Sequence, residues 1–324
     1  MSAEVPGSAG ESMDMGTAAL PGRNVLDIAV VRSLSHRSDA RGLTHFAAHL
    51  LLMTGTGFLV HAAMSNWWLL VPAMILHGFT IVTMFAAMHE CVHRTAFASR
   101  LLNDLFGWLA GLLSFYNYTY YRYYHTWHHR YTQDVQRDPE LMTPKPRNLW
   151  EYVVEISAVT FWLLRPALFL RLAQGRTHQY PFLPANARMS VALSAGLQLA
   201  IYVGCISAIA LGHKEVWFYW FLPALLAQPL LRAIVLAEHT SCTTDENGLT
   251  NTRTTLTNPL IRLLMWNMPY HTEHHLYPSI PFHQLPRAHQ ELREHLANLA
   301  PNYVAANRTI IQSLGNQEPH APQG

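Results

Sequence analysis

Charge is scarce in this chain: Asp, Glu, Lys and Arg make up 13% of its 324 residues, and Lys plus Arg outnumber Asp plus Glu only by 22 to 20. So small an imbalance, with no long basic run, gives no reason to expect nucleic acid as a partner. Cysteine is scarcer still, with only Cys91, Cys205 and Cys242. An odd number of thiols at no metal-binding spacing excludes a disulfide framework and points to reduced thiols facing a cytosolic compartment. No internal repeat or low-complexity tract follows the first forty residues. Residues 1–40 are rich in Gly, Ala, Ser and Met and lack a continuous apolar core behind basic residues, so they are expected to form a disordered arm and not a signal peptide.

What is abundant is hydrophobic surface and histidine. Half the residues are hydrophobic, and the twenty histidines equal the whole Asp plus Glu count. The mean hydropathy of +0.06 suggests apolar spans joined to a substantial aqueous portion. Four stretches approach the ~20 residues a helix needs to cross a bilayer: Leu43 to Ala63, Trp67 to Met88, Val191 to Leu211 and Val216 to Val235. Only "MSN" joins the first two and "GHKE" the last two, so each pair is predicted to be a hairpin that returns to the side it left. Two further stretches, "LFGWLAGLLSFYNY" from Leu105 and Tyr152 to Leu170, are predicted to be re-entrant or interfacial. The first is short, and the second carries Glu155, Arg165 and Pro166, where a mid-membrane charge would cost ~2.5–3.5 kcal/mol.

Basic residues agree with that layout. Arg32, Arg37, Arg41, Arg94, Arg100, Arg122, Arg130, Lys145 and Arg147 fall on one side, against Lys214 in the far loops, which makes the richer side cytosolic. Three segments are expected: the arm, 1–40; a membrane domain, 41–300; and a polar tail, 301–324. Near the end, "RAHQELREHLANLA" is predicted to be a surface helix and "GNQEPHAPQG" to be frayed.

The histidines cluster at the cytosolic ends of the spans. His89 and His93 in "HECVH" stand at i and i+4, on one helical face. His125, His128 and His129 in "HTWHH" share the spacing i, i+3, i+4 with His271, His274 and His275 in "HTEHH". Taken alone, "HECVH" fits a zinc peptidase with Glu90 as base. A catalytic zinc, however, takes three protein ligands, and eight matched histidines suit two metal ions better. Imidazole serves iron, zinc and copper alike, so ligand type leaves the metal open. A carboxylate-bridged site built on two Glu-x-x-His units finds only Glu90 to His93.

"HECVH", "HTWHH" and "HTEHHLYPSIPFHQLP", in that order and spacing, resemble the three histidine boxes of the membrane fatty acid desaturase and hydroxylase superfamily, over about Leu43 to Leu285. The resemblance implies an all-α integral membrane fold: four transmembrane helices in two hairpins, re-entrant or interfacial helices, and a cytosolic histidine-rich cap. It also implies two non-haem iron ions held by these histidines, with O2 as co-substrate, acting on a membrane lipid or acyl chain. His239 in "AEHTSC" falls where members use a ninth histidine. Val235 stands where acyl-CoA members carry Asn, which leaves the acyl carrier open. With no "HPGG" haem motif, electrons are expected from a separate protein of ferredoxin, rubredoxin or cytochrome b5 type.

Further roles follow as expectations. Glu90, Glu238 and Glu273 would orient ring N–H groups. Asn267 would bind a metal-bound water. The polar run "LTNTRTTLTN" from Leu249 would lie near the site. His45 and His49 read as an interfacial pair, the tyrosines of "YNYTYYRYY" as an interfacial aromatic belt, and the remaining histidines as non-ligands. Desaturation is the leading reaction and hydroxylation the alternative, since both begin with the same hydrogen abstraction. A zinc peptidase and a metal transporter are the distant alternatives.

Overall fold

The structure, a computed structural model, describes residues 24–315. Helix dominates it, because a backbone in hydrocarbon must satisfy its own polar groups. After α1 (Ile28–Leu34), the Ser38 hydroxyl caps α2 (Asp39–Ala63) and the Asn66 amide caps α3 (Trp67–Val82). The second span continues as α4 (Met84–Val92) past a break at Thr83, whose hydroxyl donates to the Phe79 carbonyl. Then come α5 (Arg100–Leu113) and α6 (Tyr118–Arg130). Next, α7 (Leu149–Ile156) and α8 (Val159–Ala173) meet at a 57° bend. The turn there is left-handed at Ala158, φ 61°. Finally α9 (Arg188–Ala210) leads through a π-helical turn, Trp217–Phe221, into α10 (Leu222–His239).

Four helices are long and apolar enough to cross a membrane: Asp39–Ala63, Trp67–Val92, Ala185–Ala210 and Trp217–His239. The second and fourth are the inner spans, 56% and 44% buried; the first and third are 28% and 17% buried. On those outer spans Leu51, Phe58, Leu193 and Leu197 are exposed, an apolar surface that lipid covers and water would not tolerate. The protein is an all-α integral membrane protein.

The inner spans meet because of a glycine. A Cβ on Gly78 would lie 1.8 Å from the Pro223 carbonyl oxygen, so only glycine lets α3 and α10 approach this closely. α2 packs on α3 as a hairpin should, but α10 packs chiefly on α3, while α9 turns to α8. Polar bonds hold α9 there: Gln198 donates to the Tyr116 carbonyl and Tyr202 to the Leu112 carbonyl, both at 2.8 Å.

At one end of the spans the cap adds α11 (Pro259–Leu264), α12 (His271–Leu276), α13 (Leu285–Leu292) and α14 (Tyr303–Ser313). The predicted surface helix ends at Leu292, because the chain then turns into a short strand. That strand, β2 (Leu299–Ala300), pairs in parallel with β1 (Thr254–Thr255). Of the expected arm, residues 1–23 lie outside the described residues, as does the tail from 316. The described part of the arm is folded: α1 buries Leu34 in a cluster with Tyr270, Leu276 and Leu285, and the Leu26 N–H donates to Tyr277 Oη at 2.9 Å.

Candidate metal centre

Each histidine box reaches the cap by a different device. His89 lies on the last turn of α4 and His93 is its C-cap. α6 starts where the Asn117 side chain accepts the Tyr120 N–H, 2.8 Å, and it carries His125, His128 and His129 on one face. α12, only six residues long, carries His271, His274 and His275. Trp266 and Asn267 lead to it in left-handed conformations, φ 49° and 56°. His239 closes α10.

The nine rings gather into two adjoining groups. In the first, ligand atoms of His89, His93, His125, His129 and His274 all lie within 4.8 Å of one another. His129 Nε2 is 2.9 Å from His125 Nε2 and 3.2 Å from His274 Nε2. The second holds His128, His239 and His275 within the same limit, and His271 Nε2 is 3.1 Å from His239 Nε2. The groups touch where the rings of His129 and His275 stack at 4.0 Å.

Protons alone do not satisfy such a cluster. A neutral imidazole offers one N–H and one lone pair, yet His89 Nε2, His93 Nε2 and His275 Nε2 are buried with no partner among the described residues. Buried, unpaired polar atoms are costly, and a cation in each group would engage those lone pairs. The donor set therefore fits a metal at both places.

Electrostatics separate the groups. Burial, then neighbouring imidazoles, push His125, His129 and His274 well below the usual histidine range, and burial takes His93 to about 3. These rings are neutral and ready to donate. For His128, burial acts in the same direction, but the Glu140 and Asp138 carboxylates outweigh it and leave its pKa raised. That position attracts positive charge.

The carboxylate that orients a ring is one the sequence reading passed over. Asp138 Oδ1 lies 2.9 Å from His128 Nδ1, and Glu140 Oε2 lies 3.8 Å from its Nε2. In "QRDPE" the Asp-Pro pair reads as a cap, and Asp138 does accept the Glu140 N–H. The available signal was three acids, Asp134, Asp138 and Glu140, within a dozen residues of the second box. Gln133 was missed as well. Its amide donates to the His239 carbonyl at 2.6 Å, tying the turn after α6 to the end of α10.

The expected supports act elsewhere. Glu90 Oε1 accepts the Phe282 N–H at 2.8 Å, and Asn267 Nδ2 donates to the Phe282 carbonyl at 3.0 Å. These two residues thus clamp both backbone polar groups of Phe282, in the loop after the third box. Glu273 bonds His289 Nδ1 and the Thr254 hydroxyl, each at 2.5 Å. Only Glu238 faces a box ring, 3.5 Å from His271 Nε2. The polar run does lie near the site: Arg253 donates to the Ala237 and Thr240 carbonyls and fixes the end of α10. His45 and His49 bond the Leu263 and Thr80 carbonyls, at 2.8 Å each.

The tyrosines do not form an interfacial belt. Tyr116, Tyr118, Tyr120 and Tyr121 are buried, because α6 and the turn before it pack against α4, α5 and α9. Tyr121 stacks on His125 with ring centroids 5.1 Å apart, its hydroxyl 3.3 Å from Nδ1. Together Tyr116, Tyr121, Phe161, Leu168 and Val235 line a cavity of about 530 Å³ that reaches Glu140 and His239.

Known proteins share this chain's pattern. The fatty acid desaturase family matches residues 65–307. The sn-1 oleoyl-lipid 12-desaturase of Picosynechococcus sp. is 27% identical over 256 residues, 72% of this chain and 71% of that protein. The dihydrorhizobitoxine desaturase of Bradyrhizobium elkanii is 26% identical, covering 70% of this chain and 68% of its own. A chloroplastic omega-6 fatty acid desaturase of Glycine max is 24% identical; the match covers 70% of this chain but only 57% of the plant protein.

Proposed function

The chain belongs to the fatty acid desaturase family, and on that footing we propose that it is a di-iron enzyme that uses O2 to desaturate a fatty acyl chain. One observation carries this reading: two buried imidazole groups adjoin, through His239 and Glu140, a cavity walled mainly by apolar and aromatic side chains. A saturated methylene has no acidic proton and no leaving group, so bound iron would supply the O2 activation its oxidation requires.

The residues divide the work. His89, His93, His125, His129 and His274 would hold one iron, and His128, His239, His271 and His275 the other. Asp138, taking the Nδ1–H of His128, leaves the Nε2 lone pair free to ligate. Phe85, Tyr116 and Tyr121, packed between the cavity and the first group, exclude water from it. Glu90 and Asn267 hold the third box in register through Phe282.

The basic bias of the loops supports a cytosolic cap. A separate electron-transfer protein of ferredoxin, rubredoxin or cytochrome b5 type would approach it where Arg130 and Arg137 are exposed. The test is mass spectrometry of lipids from cells that express the full chain. Acyl chains that lose two hydrogens support desaturation, chains that gain one oxygen make the enzyme a hydroxylase, and unchanged lipids from iron-loaded, reduced protein reject an acyl substrate.

A further inference from the structure

The cavity beside the histidines is not uniformly apolar. Along α10, Arg232, Val235, Leu236 and His239 line it, spaced to share one helical face. Arg232 therefore sits about 10 Å along the helix axis from His239. Along α8, Phe161, Arg165, Leu168 and Leu172 form a second lining stripe, again at one-face spacing, with Thr160 and Arg171 of the same helix at its edge. The two stripes treat their cations differently. Arg232 bonds Glu155 of α7. Arg165 has no carboxylate partner among the described residues and lies over the rings of Tyr116 and Phe161, at 4.4 and 4.0 Å. The two guanidiniums are also close enough to repel one another, and the two carboxylates of the lining, Glu155 and Glu140, both act on Arg232.

Ionisable side chains at membrane depth are costly and mark pathways or ligand sites. Aromatic faces offset part of that cost. They leave the in-plane N–H fork of a guanidinium unused, and that fork matches an oxyanion with two acceptors. We propose that Arg165, with Arg232 beside it, binds the oxyanion of an amphiphilic substrate, a carboxylate or a phosphate. The head held there fixes which methylene of the chain faces the histidine groups. Arg165 is then a positioning residue, and the inference rests on the reading of this cavity as an acyl site.

Binding tests it directly. Purified full-length protein in neutral detergent is titrated with palmitate, hexadecyl phosphate and hexadecanol, followed by tryptophan fluorescence. The anions should bind at least about tenfold more tightly than the alcohol. A preference for palmitate assigns a free carboxylate, and a preference for hexadecyl phosphate assigns a phosphate head. Arg165→Gln should reduce both anions to the alcohol's affinity while leaving alcohol binding unchanged, and Arg165→Lys should recover part of the difference. Equal affinity of wild type for all three probes, or an anion preference that survives Arg165→Gln, overturns the proposal. Hexadecanol failing to bind wild type would reject the acyl cavity and this inference together. The desaturase reading is tested separately, by the iron content and lipid products of wild type.

Discussion

The two histidine groups differ more than their shared ligand type suggests. Among the described residues, the first has five imidazoles and no carboxylate hydrogen-bonded to any of them, with Glu140 within 4.8 Å of His125; its side-chain partners are the Tyr121 hydroxyl and the Met268 sulfur. The second has fewer rings close together but is bordered by Asp138, Glu140 and Glu238. One group relies on ligand number, and the other on ligand orientation and charge. A metal would therefore meet a neutral donor set with one carboxylate at its edge at the first and a set bordered by three carboxylates at the second, although the groups share a stacked pair of rings.

Removing a ring is the strongest way to break this comparison. His125→Ala should cost the first group its iron and His128→Ala the second, with turnover lost in both, as read by iron analysis of purified protein. Next, Asp138→Asn should weaken metal binding or turnover about 10- to 100-fold by freeing the His128 ring to turn. Rebinding of iron to stripped protein measures this, and the loss should fall on the second group only. Glu238→Gln acts over a longer contact and should cost about tenfold or less, again at the second group. The smallest effect belongs to Tyr121→Phe. Losing one long, neutral hydrogen bond at the first group should lower turnover about two- to fourfold without changing metal content.

Much of this site was legible in sequence because histidine spacing is a local property. The spacing i, i+3, i+4 places three rings on one face of any helix, so the second and third boxes could be read before it was known where their helices lay. His239 was legible through its position at the end of a span. Asp138 was not, because its ring partner lies across a turn, and Asp before Pro also serves as an ordinary cap. Glu90 and Asn267 misled for a related reason: next to histidines they suggest a ring support and a holder of metal-bound water, but both reach across the cap to the backbone of Phe282. The spans themselves followed from apolar length. Which span packs on which did not, since the approach of α3 to α10 depends on Gly78 meeting Pro223, and the tyrosines of α6 differ from an interfacial belt only in what their helix packs against.

Whether the histidines form two metal groups in one protein is decided by metal analysis combined with Mössbauer spectroscopy of the full chain purified from iron-57-grown cells. Two irons per chain are expected, one for each group, with distinguishable environments that Asp138→Asn perturbs on one side only. A single zinc per chain, or one iron whose signal responds alike to His125→Ala and Asp138→Asn, would contradict the two-group arrangement.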